Sequence, residues 1–448
     1  MEAKRDRMTH EAIPSLVTRL SIPTVISMMV TTFYNMADTF FVGQLGTSAT
    51  GAVGVVFSVM AVIQALGFTF GHGSGNYISR SLGAGDDHEA SRMATTAFVS
   101  AFLSGAALMV VGLIFLEPLV YLLGATKTIA PYAKDYLSYI LIGAPWMTAS
   151  LVLNNQLRYQ GNAVYAMAGL VSGAVINVVL DPILIFVCNM GVSGAALATI
   201  ISQAVGFGLL YYGTTKGGSI RLHPTKFSPS KEQFAEIVRG GLPSFCRQTL
   251  GSVATTALNV AAGPSGDAAI AAMSIIGRIT HFCASAMIGF GQGFQPVCGF
   301  NYGAKQYRRV REAFWFAVKA STVVLLILAI CGLAFAEPLI TLFRRDDTEV
   351  IRIGSMALRL QMILMPLLSI TILTNMMLQV IGKSARASML AMARQGLFFL
   401  PPIFILPRFI GLWGVMLSQP LADLCSLIMA IPLARAELKE LRGLEMDV

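Results

Sequence analysis

Charge is scarce in this sequence: Asp, Glu, Lys and Arg together make up 12% of its 448 residues, about half the share usual in a soluble globular chain. With 55% apolar residues and a mean hydropathy of +0.68, that scarcity excludes a soluble domain. Also missing is the polar–apolar alternation over ~10-residue segments that a membrane β-barrel needs. A bundle of helices that satisfy their own backbone hydrogen bonds in lipid is what remains. No Walker A pattern occurs, so ATP is not the expected drive. The six cysteines (Cys188, Cys246, Cys283, Cys298, Cys331 and Cys425) lack metal-ligand spacing. They read as small apolar fillers, all but Cys188 in or beside spans. A cleavable leader is absent too: residues 1–7 are polar, and no Ala-x-Ala site follows a short apolar core. The first helix is therefore expected to insert and stay.

What the chain does have is apolar runs of membrane-crossing length, ~20 residues each. They predict helices near 16–42, 49–71, 93–115, 132–153, 163–187, 192–213, 234–260, 268–290, 310–334, 351–377, 387–407 and 411–434. Turn chemistry separates them, for example at Gly43, Gly83–Gly85 and Gly263–Gly266. The longest polar connection runs from Thr214 to Gln233. The net charge of +9 sits in short connections and forms no contiguous patch, so no nucleic-acid partner is expected. With the N-terminus inside, inner segments carry 22 Lys and Arg and outer segments 7. That bias predicts a multi-pass protein of the bacterial cytoplasmic (inner) membrane with both termini cytoplasmic.

The chain repeats itself at an offset of about 220 residues. The segment Gly112–Leu122 (GLIFLEPLVYL) returns as Gly332–Leu342 (GLAFAEPLITL). Pro23 answers Pro243, Gly73 and Gly75 answer Gly291 and Gly293, and Gly191 answers Gly411. Pro145, Asn154 and Gly161 answer Pro366, Asn375 and Gly382. The expected fold is an all-α polytopic membrane protein of twelve helices in two six-helix bundles, residues 1–220 and 221–448. An even number of helices per repeat makes the halves parallel, related by a pseudo-two-fold axis along the membrane normal. Rocking one half against the other would give alternating access.

Ionisable groups inside a bilayer are costly and usually functional. The first half offers Asp38 and Asp181, with Asn177 one turn below Asp181 and Thr199 entering the next span at comparable depth. All four present oxygen, which suits a proton or a hard cation such as Na+ at Asp38 and Asp181. Taken singly, the two acids also fit interfacial groups reaching solvent; the company of Asn177 and Thr199 favours a site. Pro182 leaves the carbonyl of Val178 without its helical donor, and Pro23 does the same for Arg19, a point where the first helix can bend. The second half differs. Its spans hold Arg247, Arg278 and Asp423 as structural charges, with Arg247 and Asp423 expected to pair between helices. Arg278 and Lys319 can snorkel. Asn375 and Gln379 share a helix face and fit either a substrate cavity or a link between helices. The runs Gly71–Gly75 and Gly289–Gly293 follow no strand, so they read as close packing. The methionines of the tenth span (Met356 to Met377) fit ordinary packing better than an adaptable substrate wall.

The segments Asn35–Gly43 (NMADTFFVG), Ser79–Gly85 (SRSLGAG), Asn177-x-x-x-Asp181-Pro182 and Pro296–Ala304 (PVCGFNYGA) resemble the multidrug and toxic compound extrusion (MATE) family. The resemblance runs from about Ile22 to Ala430, and is nearest the DinF-like and MepA-like bacterial branch. It implies a V-shaped pair of six-helix lobes exporting cationic or amphiphilic small molecules in exchange for H+ or Na+. In that branch the coupling site corresponds to Asp38, Asn177, Asp181 and Thr199, with Asn154 and Pro23 as neighbours. The seventh-helix acids of NorM-like members are missing here. No cofactor beyond the coupling ion is expected, and the partners are the substrates and the bilayer, with the protein a monomer. Two other classes fit the sequence less well. A flippase for a lipid-linked precursor would carry additional spans and a strongly basic cavity. A membrane enzyme would need a paired nucleophile or a metal motif.

Overall fold

The structure is a computed structural model that describes residues 2–216 and 220–446; residues 217–219 of the long polar connection lie outside it. The described residues form helices and turns, with no strand among them. The first half runs through α1 (Glu2–His10), α2 (Ile13–Gly43), α3 (Thr47–Ala84), α4 (Asp87–Ile114) and a short α5 (Leu116–Leu122). It continues with α6 (Ala130–Tyr159), α7 (Ala163–Pro182) and α8 (Gly191–Thr214). The second half holds α9 (Lys231–Ala262), α10 (Asp267–Gly303), α11 (Tyr307–Ala334), a short α12 (Ala336–Phe343), α13 (Thr348–Leu364) and α14 (Leu368–Val380). It ends with α15 (Ser384–Met392), α16 (Leu400–Ile410) and α17 (Leu412–Met446).

Among the described residues, eleven helical stretches are long and apolar enough to cross a bilayer. The twelfth expected span, near 234–260, exists as the 32-residue α9 but is less apolar, because Lys231, Glu232, Glu236, Arg239 and Arg247 all fall on it. Prolines and wide turns break the regularity of others. α13 and α14 form one stretch interrupted at Met365–Leu367, where Pro366 cannot donate a backbone bond. α15 and α16 form another, opened by a π-turn at Ala393–Leu397. α7 likewise passes from Pro182 into a π-turn at Ile183–Val187. Through Pro23, by contrast, α2 runs as one continuous helix.

The backbone carries the mark of duplication. Left-handed conformations fall at Gly46 and Gly266 (φ 105° and 96°), Gly161 and Gly382 (79° and 89°), and Gly191 and Gly411 (57° and 58°). Each pair sits at the offset of the sequence repeat. At the fourth such pair, Gly85 and Lys305, a lysine holds at φ 59° what glycine holds at 84°. The short helices α5 and α12, which apolar periodicity did not reveal, form a further pair.

The helices sort into two compact units. One takes the residues up to His10 with Ile22–Gly241, the other Glu11–Ser21 with the residues from Leu242 onward. The N-terminal unit thus keeps the start of α9 as well as the long connection, and α2 contributes to both units.

In the N-terminal unit α6 is the most enclosed helix, packing on α3, α4 and α8. Its core includes Ala52, Ile63, Tyr136, Leu137, Leu141 and Ala196. Close approach depends on the glycine run of α3. A Cβ at Gly71 would meet Asn155, at Gly73 the backbone carbonyl of Ile237, and at Gly75 the ring of Tyr159. Lipid gives apolar side chains no reason to prefer one another, so contacts of this kind supply much of the cohesion. In the C-terminal unit α10 packs on α11, α13 and α14, with Gly291 against Met376 and Gly293 against Ser21. Large apolar side chains face outward on α4 (Phe102, Leu103, Val110, Val111) and on α11 (Val323, Val324, Ile327, Ile330). Of the cysteines, Cys283 and Cys298 are buried fillers, whereas Cys188 and Cys331 are exposed.

Candidate cation-coupling site

Three helices of the N-terminal unit bring polar groups together at one place. α2 supplies Asp38 and, one turn earlier, Tyr34. α7 supplies Asn177 and Asp181, also one turn apart and both on its buried side. α8 supplies Thr199, with Gln203 one turn further on. Asn177, Asp181 and Thr199 are at most 2% exposed. The Asn177 amide donates to Thr199 Oγ1 at 3.5 Å, and Thr199 Oγ1 donates back to the Ala195 carbonyl at 3.0 Å. The carboxyls of Asp38 and Asp181 face each other. Tyr34, which also reaches Gln203, and Tyr136 from α6, which reaches Thr199, lie beside both acids.

The hydrogen-bond balance of this cluster is uneven. Asp38 Oδ1, Asn177 Oδ1 and both carboxylate oxygens of Asp181 are buried with no donor among the described residues. Buried acceptors without a donor are costly, and charged ones more so. Two facing carboxylates also repel. As carboxylates neither has a hydrogen to give, and a shared proton or a bound cation would relieve both problems. The donor set is all oxygen, which fits H+ or a hard cation.

Of the sequence-expected residues, Asp38, Asn177, Asp181 and Thr199 converge. Asn154 stands apart as a helix tie, donating to the Ala166 carbonyl at 3.0 Å. Tyr34, Tyr136 and Gln203 were not anticipated. Tyr34 and Gln203 had a signal, each one turn from an expected residue; Tyr136 had none.

Among the described residues, the C-terminal unit has no matching cluster of acids. Arg247 and Asp423 were expected to pair, and they do not. Asp423 accepts from Arg394 Nε at 2.8 Å and from Gln419 at 2.9 Å, while Arg247 reaches Asn375 Oδ1 at 3.5 Å. The π-turn of residues 393–397 contains Arg394 and shifts the helix register there, which spacing along the chain could not show. Asn375 donates to the Ala387 carbonyl at 2.6 Å, repeating the Asn154 tie, and Gln379 donates to Ser244 Oγ at 2.8 Å. Both amides are buried and link helices.

Comparison with known proteins adds to this geometry. A sequence profile described as MatE matches residues 23–183 and again 243–405, once in each half. The multidrug export protein MepA of Staphylococcus haemolyticus (strain JCSC1435) is 28% identical over 405 residues, covering 90% of this chain and 89% of that protein. A crystal structure of MATE in complex with MaL6 superposes with a TM-score of 0.92 at 28% identity, covering 98% of this chain and 99% of the other. An outward-facing multidrug resistance MATE family transporter of the MOP superfamily gives a TM-score of 0.90, also at 28% identity, over 97% and 98% of the two chains.

Proposed function

The chain belongs to the MatE family, a family of multidrug export transporters, and from that premise we propose that it is a secondary antiporter. It exports cationic or amphiphilic small molecules across the cytoplasmic membrane in exchange for H+ or Na+, with its two units exposing the substrate site alternately to either side. Coupling resides in the N-terminal unit, at Asp38, Asn177, Asp181 and Thr199, with Tyr34, Tyr136 and Gln203 shaping the surroundings.

The observation that carries this reading is the set of buried acceptor oxygens without donors on Asp38, Asn177 and Asp181. A group that binds a cation from one side and releases it to the other must be unsatisfied when empty. If it were satisfied by its own neighbours, the ion would gain little by binding and could do little work. Proton or Na+ entry from outside neutralises the facing acids, and release inward restores their repulsion. The cycle transfers the ion's gradient to the substrate only if the loaded and empty forms favour different conformations.

The test is efflux of ethidium from proteoliposomes under an imposed pH gradient and, separately, an imposed sodium gradient. Asp38→Asn and Asp181→Asn remove the exchangeable charge while keeping the shape. Each is expected to reduce gradient-driven efflux to the protein-free background without lowering the amount of protein inserted. Transport at the wild-type rate by either variant rules the site out.

A further inference from the structure

The exposed face of α10 is unlike that of a helix bathed in lipid. On α11 the exposed side chains are mostly large and apolar. On α10, among the described residues, no large apolar side chain is exposed; past its first residue and through the apolar span, the exposed positions are Ser274, Gly277, Arg278 and His281. These four lie at i, i+3, i+4 and i+7, which is one face of a helix. Arg278 is eleven residues past Asp267, the start of α10, or about 16 Å along the axis. That depth lies within hydrocarbon. An arginine there must face water or a partner. Among the described residues Arg278 has no ion-pair partner, and Asp423, an acid of the same unit, is held by Arg394.

The neighbouring helix continues the pattern. α9 joins α10 through the four-residue turn Gly263–Gly266, so the two form a helical hairpin. Counted back from that turn, Ser252 lies level with Arg278, and Thr256 with Ser274. Ser252, Thr255, Thr256 and Asn259 are all exposed and share one face of α9. The exposed faces of α9 and α10 therefore carry hydroxyls, an amide and the Arg278 guanidinium, with Val253 and Val260 as the large apolar side chains exposed among them. No exposed acid accompanies them within the apolar part of either helix.

We propose that Arg278 is a substrate-recognition residue, and that the exporter accepts amphiphiles whose head carries a carboxylate or phosphate. This rests on the exporter reading for the ligand's route. A guanidinium offers five donors in a planar fork and binds such heads in a bidentate manner. Ser274 and His281 lie one turn to either side of Arg278 on the same helix face and can add hydrogen bonds to the head. An exporter that took only cations would gain nothing from an unpaired arginine on this face.

A matched dye pair tests the idea: a rhodamine bearing a free benzoate, and the methyl ester of the same dye. Binding to the full chain in detergent is read by fluorescence anisotropy, and transport in proteoliposomes under the pH and sodium gradients. Arg278→Gln is expected to weaken binding of the free acid about tenfold and to leave the ester within about twofold; Arg278→Lys should recover most of the loss. Equal effects on acid and ester, or none on either, overturn the proposal. So does a wild-type protein that fails to bind the acid. Fluorescence-silent phosphatidylglycerol is added as competitor: displacement of the acid places the anionic head on a lipid, and persistence of binding places it on a soluble solute, both with Arg278 as the receptor. If the acid binds through Arg278 but neither gradient moves either dye, the exporter reading fails while the recognition site stands.

Discussion

A carboxyl at membrane depth is conspicuous because so little charge surrounds it, and that made Asp38 and Asp181 legible from sequence alone. Tyr136 was not legible for the opposite reason. The chain has 12 tyrosines, and nothing in the periodicity of α6 separates one that reaches Thr199 from one that fills space. The partner of Asp423 was misread because two charges in different helices can be matched by type but not by facing direction. Lys4 shows what a single group does to stability. Its ammonium donates to Asn162 Oδ1 at 2.8 Å, and burial, followed by the neighbouring Arg7, lowers its pKa from the ordinary lysine range to about 8. The folded state thus disfavours the charged form relative to the unfolded chain. Between pH 8 and about 10.5 the unfolded state holds more protons, so stability rises with pH across that window and is flat below it. Hydrogen exchange of α1 should slow as pH climbs from 8 to 10, once corrected for the intrinsic rate, and Lys4→Met should remove the trend.

At the level of elements, the apolar runs located nearly every long helix, and the repeat predicted which would correspond. What they did not reveal was where helices break. Pro145 and Pro366 are equivalent in sequence, yet α6 passes through the first unbroken while the second separates α13 from α14. Packing decides: α6 is enclosed by three neighbours that hold it straight, and the less enclosed second stretch yields. Glycines are better behaved. At Gly73 an added Cβ would run into the backbone carbonyl of Ile237, which cannot rotate away, whereas at Gly54 it would meet open space. Gly73→Ala should cost about 1–3 kcal/mol through overpacking, read as an earlier thermal unfolding midpoint in detergent. Gly54→Ala should be neutral or slightly stabilising, since alanine is the better helix former.

For the whole molecule, the duplicated backbone was readable in the sequence repeat. A cut in the long polar connection is where composition changes; contacts instead carry the N-terminal unit on to Gly241 and give Glu11–Ser21 to the other unit. Orientation is open to direct test. Cys188 is exposed in the turn before α8, on the side that the charge bias assigns to the outside. A membrane-impermeant maleimide should label it in intact cells or right-side-out vesicles and not in inverted ones, with Cys188→Ser as the blank. Labelling only in inverted vesicles would reverse the assigned topology.

The division of α2 has a consequence for how the protein is made. Ser21 donates to the carbonyl of Phe290, 269 residues later, and the Glu11 carbonyl accepts from Arg309, 298 residues later. At ~5–20 residues per second, the ribosome needs on the order of tens of seconds to deliver those partners. The first long helix to leave the ribosome, α2, is therefore among the last to be finished. A truncated chain ending after α8 should insert its helices but leave residues 11–21 with no partner to pack on, and co-expression of the missing half should supply one.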